Sequence, residues 1–301
     1  SISGGKDSTA MALHPREQGI EYRAIHFDVG WEHPETMRYV REVLPEYLGP
    51  IEIHTPETPE LPPEQEDMAR EVEGLLGFRS AFVRLTLAKA IFPSQQIRWC
   101  TRRLKIAPLK KIMSGLHAER KLPVNVVGIR AAESRARAKM PEHELSTTLD
   151  CMVWRPLIRW RIADVVAIHK RHGVPPNSLY LRGADRVGCW PCVMANKKDL
   201  RMLDEPRIRA MEVLEDMVGK LATRLRESRG QSLDGWHPPR FYQSVRPTEN
   251  GKYPPAPIRD LIAWSKTARG GKVLDRQMSI PGFNSGCLRW GMCDVGGSGN
   301  E

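Results

Sequence analysis

Along the chain, short runs of β-branched and aromatic residues alternate with longer segments whose apolar positions recur every three or four residues. Residues 22–28 read as a strand that ends in the carboxylate of Asp28. Met37, Val40, Val43 and Leu44 share one helical face, which predicts a helix over residues 35–44 closed by Pro45. Ile51–His54 is a second short strand, and the acidic, proline-rich residues 56–66 form a loop. The β-branched run 124–130 has the composition of a strand buried in a parallel sheet. A further strand is expected over 152–157 and a helix over 162–171. This alternation predicts an α/β fold, a parallel twisted sheet with helices on both faces, whose ligand sits at the carboxyl ends of the strands.

Pro206 opens a long basic helix over 207–229, and beyond Gly230 the chain turns rich in Gly, Pro and Trp. The expected organisation is therefore a first domain over 1–205 and a helical, cysteine-containing lobe over 206–301. No internal repeat is evident.

Composition narrows the class. At 301 residues, 41% hydrophobic and 27% charged, the chain has the balance of a globular protein, and no apolar run reaches the length of a membrane span. No leader segment is expected, and the predicted location is the cytoplasm. A net charge of +10 suits polyanionic ligands, ATP at the least and nucleic acid as a further candidate. Six cysteines in such a chain point to metal or redox chemistry rather than to a disulfide framework.

The candidate chemistry begins at the first residues. Ser3, Gly4, Gly5 and Ser8 are small enough to let backbone amides close on an anion, and Lys6 adds a point charge. A helix starting near Asp7 would turn its positive end to the same spot. Ser3 to Thr9 is thus a phosphate cradle, though it has neither the ending of a Walker loop nor the spaced glycines of a dinucleotide fingerprint. The expected upstream neighbour of such a loop is a strand, so the chain is expected to continue before Ser1.

Two further segments follow strands. Asp28, Gly30, Pro34, Glu35 and Thr36 place a carboxylate at a strand end, with Glu35 and Thr36 as candidate caps of the next helix. Gly128, Arg130, Glu133, Ser134, Arg135 and Arg137 follow the strand over 124–130, and their guanidinium groups suit bidentate contact with phosphate or sulfate.

The cysteines form a third set. Cys100 is flanked by Arg98, Arg102, Arg103 and Lys105, a setting expected to lower its thiol pKa. Cys189 and Cys192 make a Cys-x-x-Cys pair, half of a ligand set for zinc or an iron–sulfur cluster. Cys151 lies in an apolar strand and is expected to be a buried core thiol.

Ser3 to Thr9 resembles the PP-loop of the ATP-pyrophosphatase superfamily, whose fold is called adenine nucleotide α-hydrolase-like. The segments at Asp28 and Gly128 resemble elements of its phosphoadenosine phosphosulfate (PAPS) reductase branch, with Val29 where the branch has Thr. This resemblance, over residues 1–192, implies a nucleotide site formed by Ser3, Gly4, Gly5, Lys6, Asp7, Ser8, Thr9, Asp28, Gly128, Arg130, Arg135 and Arg137. Lys6, Asp7, Asp28 and Arg130 are its implied catalytic members, acting on ATP with magnesium. By likeness to adenosine phosphosulfate (APS) reductases, Cys100, Cys189 and Cys192 would hold a [4Fe–4S] cluster, zinc being the alternative metal. The fourth ligand would be Cys287, or else Cys293.

The spelling around Cys100 and Cys189 is similar to the ATP-pyrophosphatase component of DNA phosphorothioation systems of the Dnd or Ssp type. That likeness implies splitting ATP to AMP and pyrophosphate to activate an acceptor, the DNA backbone, for sulfur. A cysteine desulfurase or other sulfur donor would be a partner. The residues after Cys287 and Cys293 do not spell the Glu-Cys-Gly-x-His nucleophile of the sulfonucleotide reductases. The alternatives are such a reductase working through one of these cysteines, or a catalytically silent nucleotide- or DNA-binding module with a structural metal.

Overall fold

A computed structural model describes residues 1–245 and 247–267. In chain order these form α1 (Lys6–Glu17), β1 (Ala24–Phe27), α2 (Pro34–Arg38), α3 (Leu44–Leu48), β2 (Ile51–His54), α4 (Pro63–Leu76), α5 (Ala81–Lys89), α6 (Trp99–Thr101), α7 (Ala107–Ala118), β3 (Val124–Val126), β4 (His143–Ser146), β5 (Cys151–Trp154), α8 (Ile162–Arg171), α9 (Ser178–Leu181), α10 (Lys197–Arg201), α11 (Glu205–Ser228), a minimal hairpin β6–β7 (Tyr242–Gln243 and Pro255–Ala256) and α12 (Ile258–Ser265).

The fold is α/β. β1 pairs in parallel with β2, Ala24 opposite Ile51. β5 lies between β3, parallel to it, and β4, antiparallel to it. Beside β1 runs the start of the chain, whose Ile2 amide donates to the Ile25 carbonyl at 2.7 Å. A cavity of about 930 Å³ separates β1 from β3, lined by Met11, Ile25, Met113, Val124 and Trp154 among others.

Alternation along β1 explains why all four of its residues are buried. Ala24 faces a cluster built by α1, α3 and α8 through Leu13, Leu44 and Ile168. Ile25 and Phe27 face the other way, onto Leu109 and Met113 of α7. Helices therefore cover both sides of the sheet, as the strand–helix alternation predicts. A third cluster joins Trp31, Phe82 and Leu87 to Met211, Leu214 and Ile258, so residues on either side of position 205 share one core.

Several boundaries differ from those expected. The helix over 35–44 does not stop at Pro45. A π-turn over Tyr39–Val43 carries α2 into α3, where Pro45 falls in the first turn and its missing amide proton costs no helical bond. The chain turns at Gly49 instead. The loop over 56–66 ends early, because Pro63 opens α4. The run 124–130 is parallel but not buried, since only Val124–Val126 pairs as strand and Val124 is 51% exposed. The strand over 152–157 is Cys151–Trp154, and Cys151 is buried as expected. The helix over 162–171 matches α8.

Candidate nucleotide and cysteine site

Ser3 to Ser8 form a tight turn between the Ile2–Ile25 contact and the first turn of α1, and hydroxyls hold its shape. Ser8 Oγ accepts from the Ser3 amide at 3.1 Å and donates to the Gly5 carbonyl at 2.8 Å. Thr9, 1% exposed, donates to the same carbonyl at 3.2 Å. Ser3 Oγ accepts from the Gly5 amide at 3.4 Å. Ser8 and Thr9 thus fix the loop from behind, while Lys6 and Asp7 are half-exposed at its front.

Gly4 has a φ of +73°, and a Cβ there would lie 2.8 Å from Thr36 Cγ2. Gly4→Ala is expected to cost about 2 kcal/mol, strain and clash combined, measured by urea unfolding; wild-type stability would contradict it.

The amides of Asp7 and Ser8 sit in the first turn of a 12-residue helix, where no intrahelical carbonyl can receive them. They and the helix dipole favour an anion. Two cations stand beside them. Lys6 Nζ lies 3.6 Å from Asp7 Oδ2, and Arg130 Nε donates to Asp7 Oδ1 at 2.5 Å. Arg130 is itself 9% exposed and clamped at its backbone, whose amide donates to Glu133 Oε2 at 2.7 Å. Asp7 therefore pulls a residue 123 positions away onto the loop.

Gly128 serves this same approach. A Cβ on it would lie 2.7 Å from the Asp7 carbonyl, so only glycine lets the segment after β3 close on α1. Arg137 pairs with Glu133, and Arg135 is exposed.

Asp28, at the end of β1, accepts from the Gly30 amide at 3.0 Å and pairs with Arg41 at 2.8 Å. Glu35 and Thr36 do not cap α2. Its cap is His33, whose Nδ1 accepts from the Glu35 amide at 3.1 Å. Glu35 instead bonds Ser178 Oγ and Arg182, and Thr36, fully buried, meets Asn177 Nδ2 at 3.4 Å. Both side chains dock the α9 segment.

The three described candidate cysteines pack against one hydrophobic cluster. Cys189 and Cys192 lie close enough to Cys100 for their charges to act on one another. Cys189 is placed by backbone pairing with Glu32, and Trp31 Nε1 donates to the Pro191 carbonyl at 3.0 Å. Lys105 points its Nζ at Cys189 Sγ from 3.9 Å. It gets there because a π-turn over Arg102–Ile106 follows Cys100 and re-aims one residue.

The expected lowering of the Cys100 pKa does not occur. Arg98, Arg102 and Arg103 are exposed, and burial of the thiol pushes its pKa up. Burial likewise pushes Cys189 up to about 12. Glu32 Oε1, Trp99 Nε1, Trp190 Nε1 and Arg207 Nη1, all buried, find no partner among the described residues. No group of three or more His, Cys, Asp or Glu among those residues is arranged to hold a metal ion. Cys287 and Cys293 lie outside the described residues.

Along the basic helix α11 some cations are buried or paired, while Arg209, Lys220 and Arg229 are exposed. Arg207 is 5% exposed under the Trp31 ring, Arg224 pairs with Glu64, and Arg226 bonds the Ser232 carbonyl and lies over Trp236. No described helix is long and apolar enough to cross a membrane.

The phosphate loop, Asp28, the Gly128–Arg137 segment and Cys100, Cys189 and Cys192 all fall within residues 1–195, and those residues match the model of the phosphoadenosine phosphosulfate reductase domain. The chain belongs to the PAPS reductase family.

Among relatives in this family, an uncharacterised 37.8 kDa protein of Escherichia phage 186 is 30% identical over 91% of this chain and 90% of its own length. The adenosine 5'-phosphosulfate reductase of Allochromatium vinosum is 30% identical over 64% of this chain and 66% of that enzyme. A crystal structure of the PAPS reductase of Candida auris, in complex with phosphate, is similar at a TM-score of 0.44 and 19% identity, covering 64% of this chain and 80% of that one. Family membership makes a nucleotide the ligand class to which the loop is matched. Several groups at the site carried no sequence signal of their own, namely Asn177, Ser178, Tyr180, Arg182, Glu32 and Arg41. Apart from Glu32, a variable position inside the Asp28–Thr36 segment, they lie in stretches without a motif, and only folding brings them to the loop or the cysteines.

Proposed function

We propose that this PAPS reductase family member is an ATP pyrophosphatase that activates an acceptor for sulfur. The observation that carries it is the phosphate loop itself, with first-turn amides of α1, Lys6 and the Asp7-anchored Arg130 converging on one spot. An acceptor oxygen attacks the α-phosphorus of ATP, and the bond from that phosphorus to the α,β-bridging oxygen breaks. Pyrophosphate leaves with the bonding electron pair, and AMP stays on the acceptor, or on water when none is present. The loop and the two cations hold the β- and γ-phosphates and stabilise the charge gathering on the leaving group. Magnesium bound with the nucleotide would neutralise part of that charge, with Asp7 and Asp28 as the candidate carboxylates.

The proposed acceptor is the DNA backbone, met by the exposed Arg98, Arg102, Arg103 and Arg135, with a desulfurase or other sulfur donor as partner. Cys100, Cys189 and Cys192 match the donor chemistry of an iron–sulfur cluster completed by Cys287 or Cys293, with four thiolates suiting zinc as well. Among the described residues no group of three or more His, Cys, Asp or Glu is arranged to hold an ion. Anaerobically purified protein with absorption near about 400 nm would support the cluster, and its absence with bound zinc would replace it.

A second reading, sulfonucleotide reduction, is favoured by the 30% identity to an APS reductase. The deciding experiment offers ATP, APS and PAPS separately, with and without DNA. Pyrophosphate from ATP, rising when DNA is present, supports the proposal. Sulfite from APS or PAPS with a thiol donor, and no pyrophosphate from ATP, overturns it.

A further inference from the structure

The residue at the N-cap of α1 is Gly5, extended at φ −92° and ψ 157°, and it has no side chain with which to cap the helix. A capping oxygen ordinarily satisfies one of the first amides and fixes the angle at which chain enters helix. Here that oxygen comes from 174 residues away: the Lys6 amide donates to Tyr180 Oη at 3.1 Å.

Tyr180 is 4% exposed, packed against Val166 and Val187, and its ring centroid lies 5.0 Å from Lys6 Nζ. A nearer cap would be tight, since a Cβ on Gly5 would come within 3.3 Å of that same hydroxyl. The neighbours of Tyr180 grip the site as well. Asn177 Nδ2 donates to the Gly4 carbonyl and to Thr36 Oγ1, both at 3.4 Å, while Ser178 and Arg182 hold Glu35.

We propose that Tyr180 is a positioning residue for phosphate binding, a helix cap delivered through tertiary structure that sets the Gly5–Lys6 peptide so that the next amides face the anion. The peptide plane between Gly5 and Lys6 is the joint between loop and helix. Once its N–H is committed to Tyr180, the amides of Asp7 and Ser8 are held in the orientation that a phosphoryl oxygen requires. The Tyr180 ring beneath Lys6 holds the ammonium on the same side. Tyr180 does not touch the reacting phosphorus. Its contribution is to reduce the reorganisation that the loop would undergo when a phosphate arrives.

The inference rests on the loop being a phosphate site, and the test separates the two. Inorganic pyrophosphate and adenosine are titrated calorimetrically into wild type, Tyr180→Phe and Lys6→Ala, each also melted thermally. The expected result for Tyr180→Phe is pyrophosphate affinity lowered about fivefold, near the worth of one hydrogen bond. Its adenosine affinity should match wild type, and its melting temperature should fall by no more than about 3 °C. A merely structural tyrosine would weaken both ligands together or leave both unchanged, and either result overturns the proposal if Lys6→Ala weakens pyrophosphate. If Lys6→Ala binds pyrophosphate like wild type, the phosphate-site reading fails and the role of Tyr180 falls with it.

Discussion

Pyrophosphate release from ATP is expected to fall by about 10²- to 10³-fold when Lys6 is replaced by alanine, and by a similar factor for Arg130→Ala. Both cations stand at the α1 N-terminus, and both are held by one carboxylate, Asp7. Preorganised charge at a developing anion is the largest single contribution that such a site can make, because the reaction needs little covalent work from the protein. Arg130 has an added role, since removing it frees Asp7 to turn its own negative charge toward the phosphates. Arg130→Ala should therefore raise KM for ATP more than Lys6→Ala does. A coupled pyrophosphate assay over a range of ATP concentrations checks both. Full turnover by Lys6→Ala would sink the loop as the catalytic phosphate site.

Glu215→Ala is expected to cost about 3 kcal/mol of stability, a large effect for a change far from the loop. Glu215, 1% exposed on α11, accepts from the Phe241 amide and the Ile258 amide, both at 3.1 Å, with Arg240 3.6 Å away. Its removal strands two buried amides and unties α12 from α11. Urea unfolding of the two proteins gives the difference, and a loss below about 1 kcal/mol would show that water takes over both amides.

The same residue gives a pH signature. Burial raises the Glu215 pKa from the ordinary 4.5 to about 7 in the folded state. Between those values the folded protein binds more protons than the unfolded chain, so stability from this group is full below pH 4.5 and declines as pH rises to about 7. Wild type should thus lose stability across that window relative to Glu215→Ala, and parallel curves would contradict the assignment.

The phosphate loop was legible because its chemistry is local. Small residues, a lysine and a helix start within seven positions need no distant partner to declare an anion site. Arg130 was legible as a candidate for a related reason, lying past a strand where an α/β sheet presents its ligands, and the structure brings it to Asp7. The Cys100 environment misled because charge adjacent in sequence was taken as charge adjacent in space. On a helical turn Arg98, Arg102 and Arg103 face solvent while the thiol faces the core.

By itself, then, the sequence determined the alternation that builds a sheet covered on both faces, and the small-residue turn that leads into α1. Both follow from periodicity and residue size within short windows. Tertiary structure alone decided that Asp7 recruits Arg130, that Gly128 exists to let that approach happen, and that a tyrosine 174 residues away caps the helix a glycine cannot. Those contacts depend on which segments the packing of α1, α8 and α9 brings within hydrogen-bond reach, and a hydrogen bond between distant segments leaves no spacing pattern in the chain.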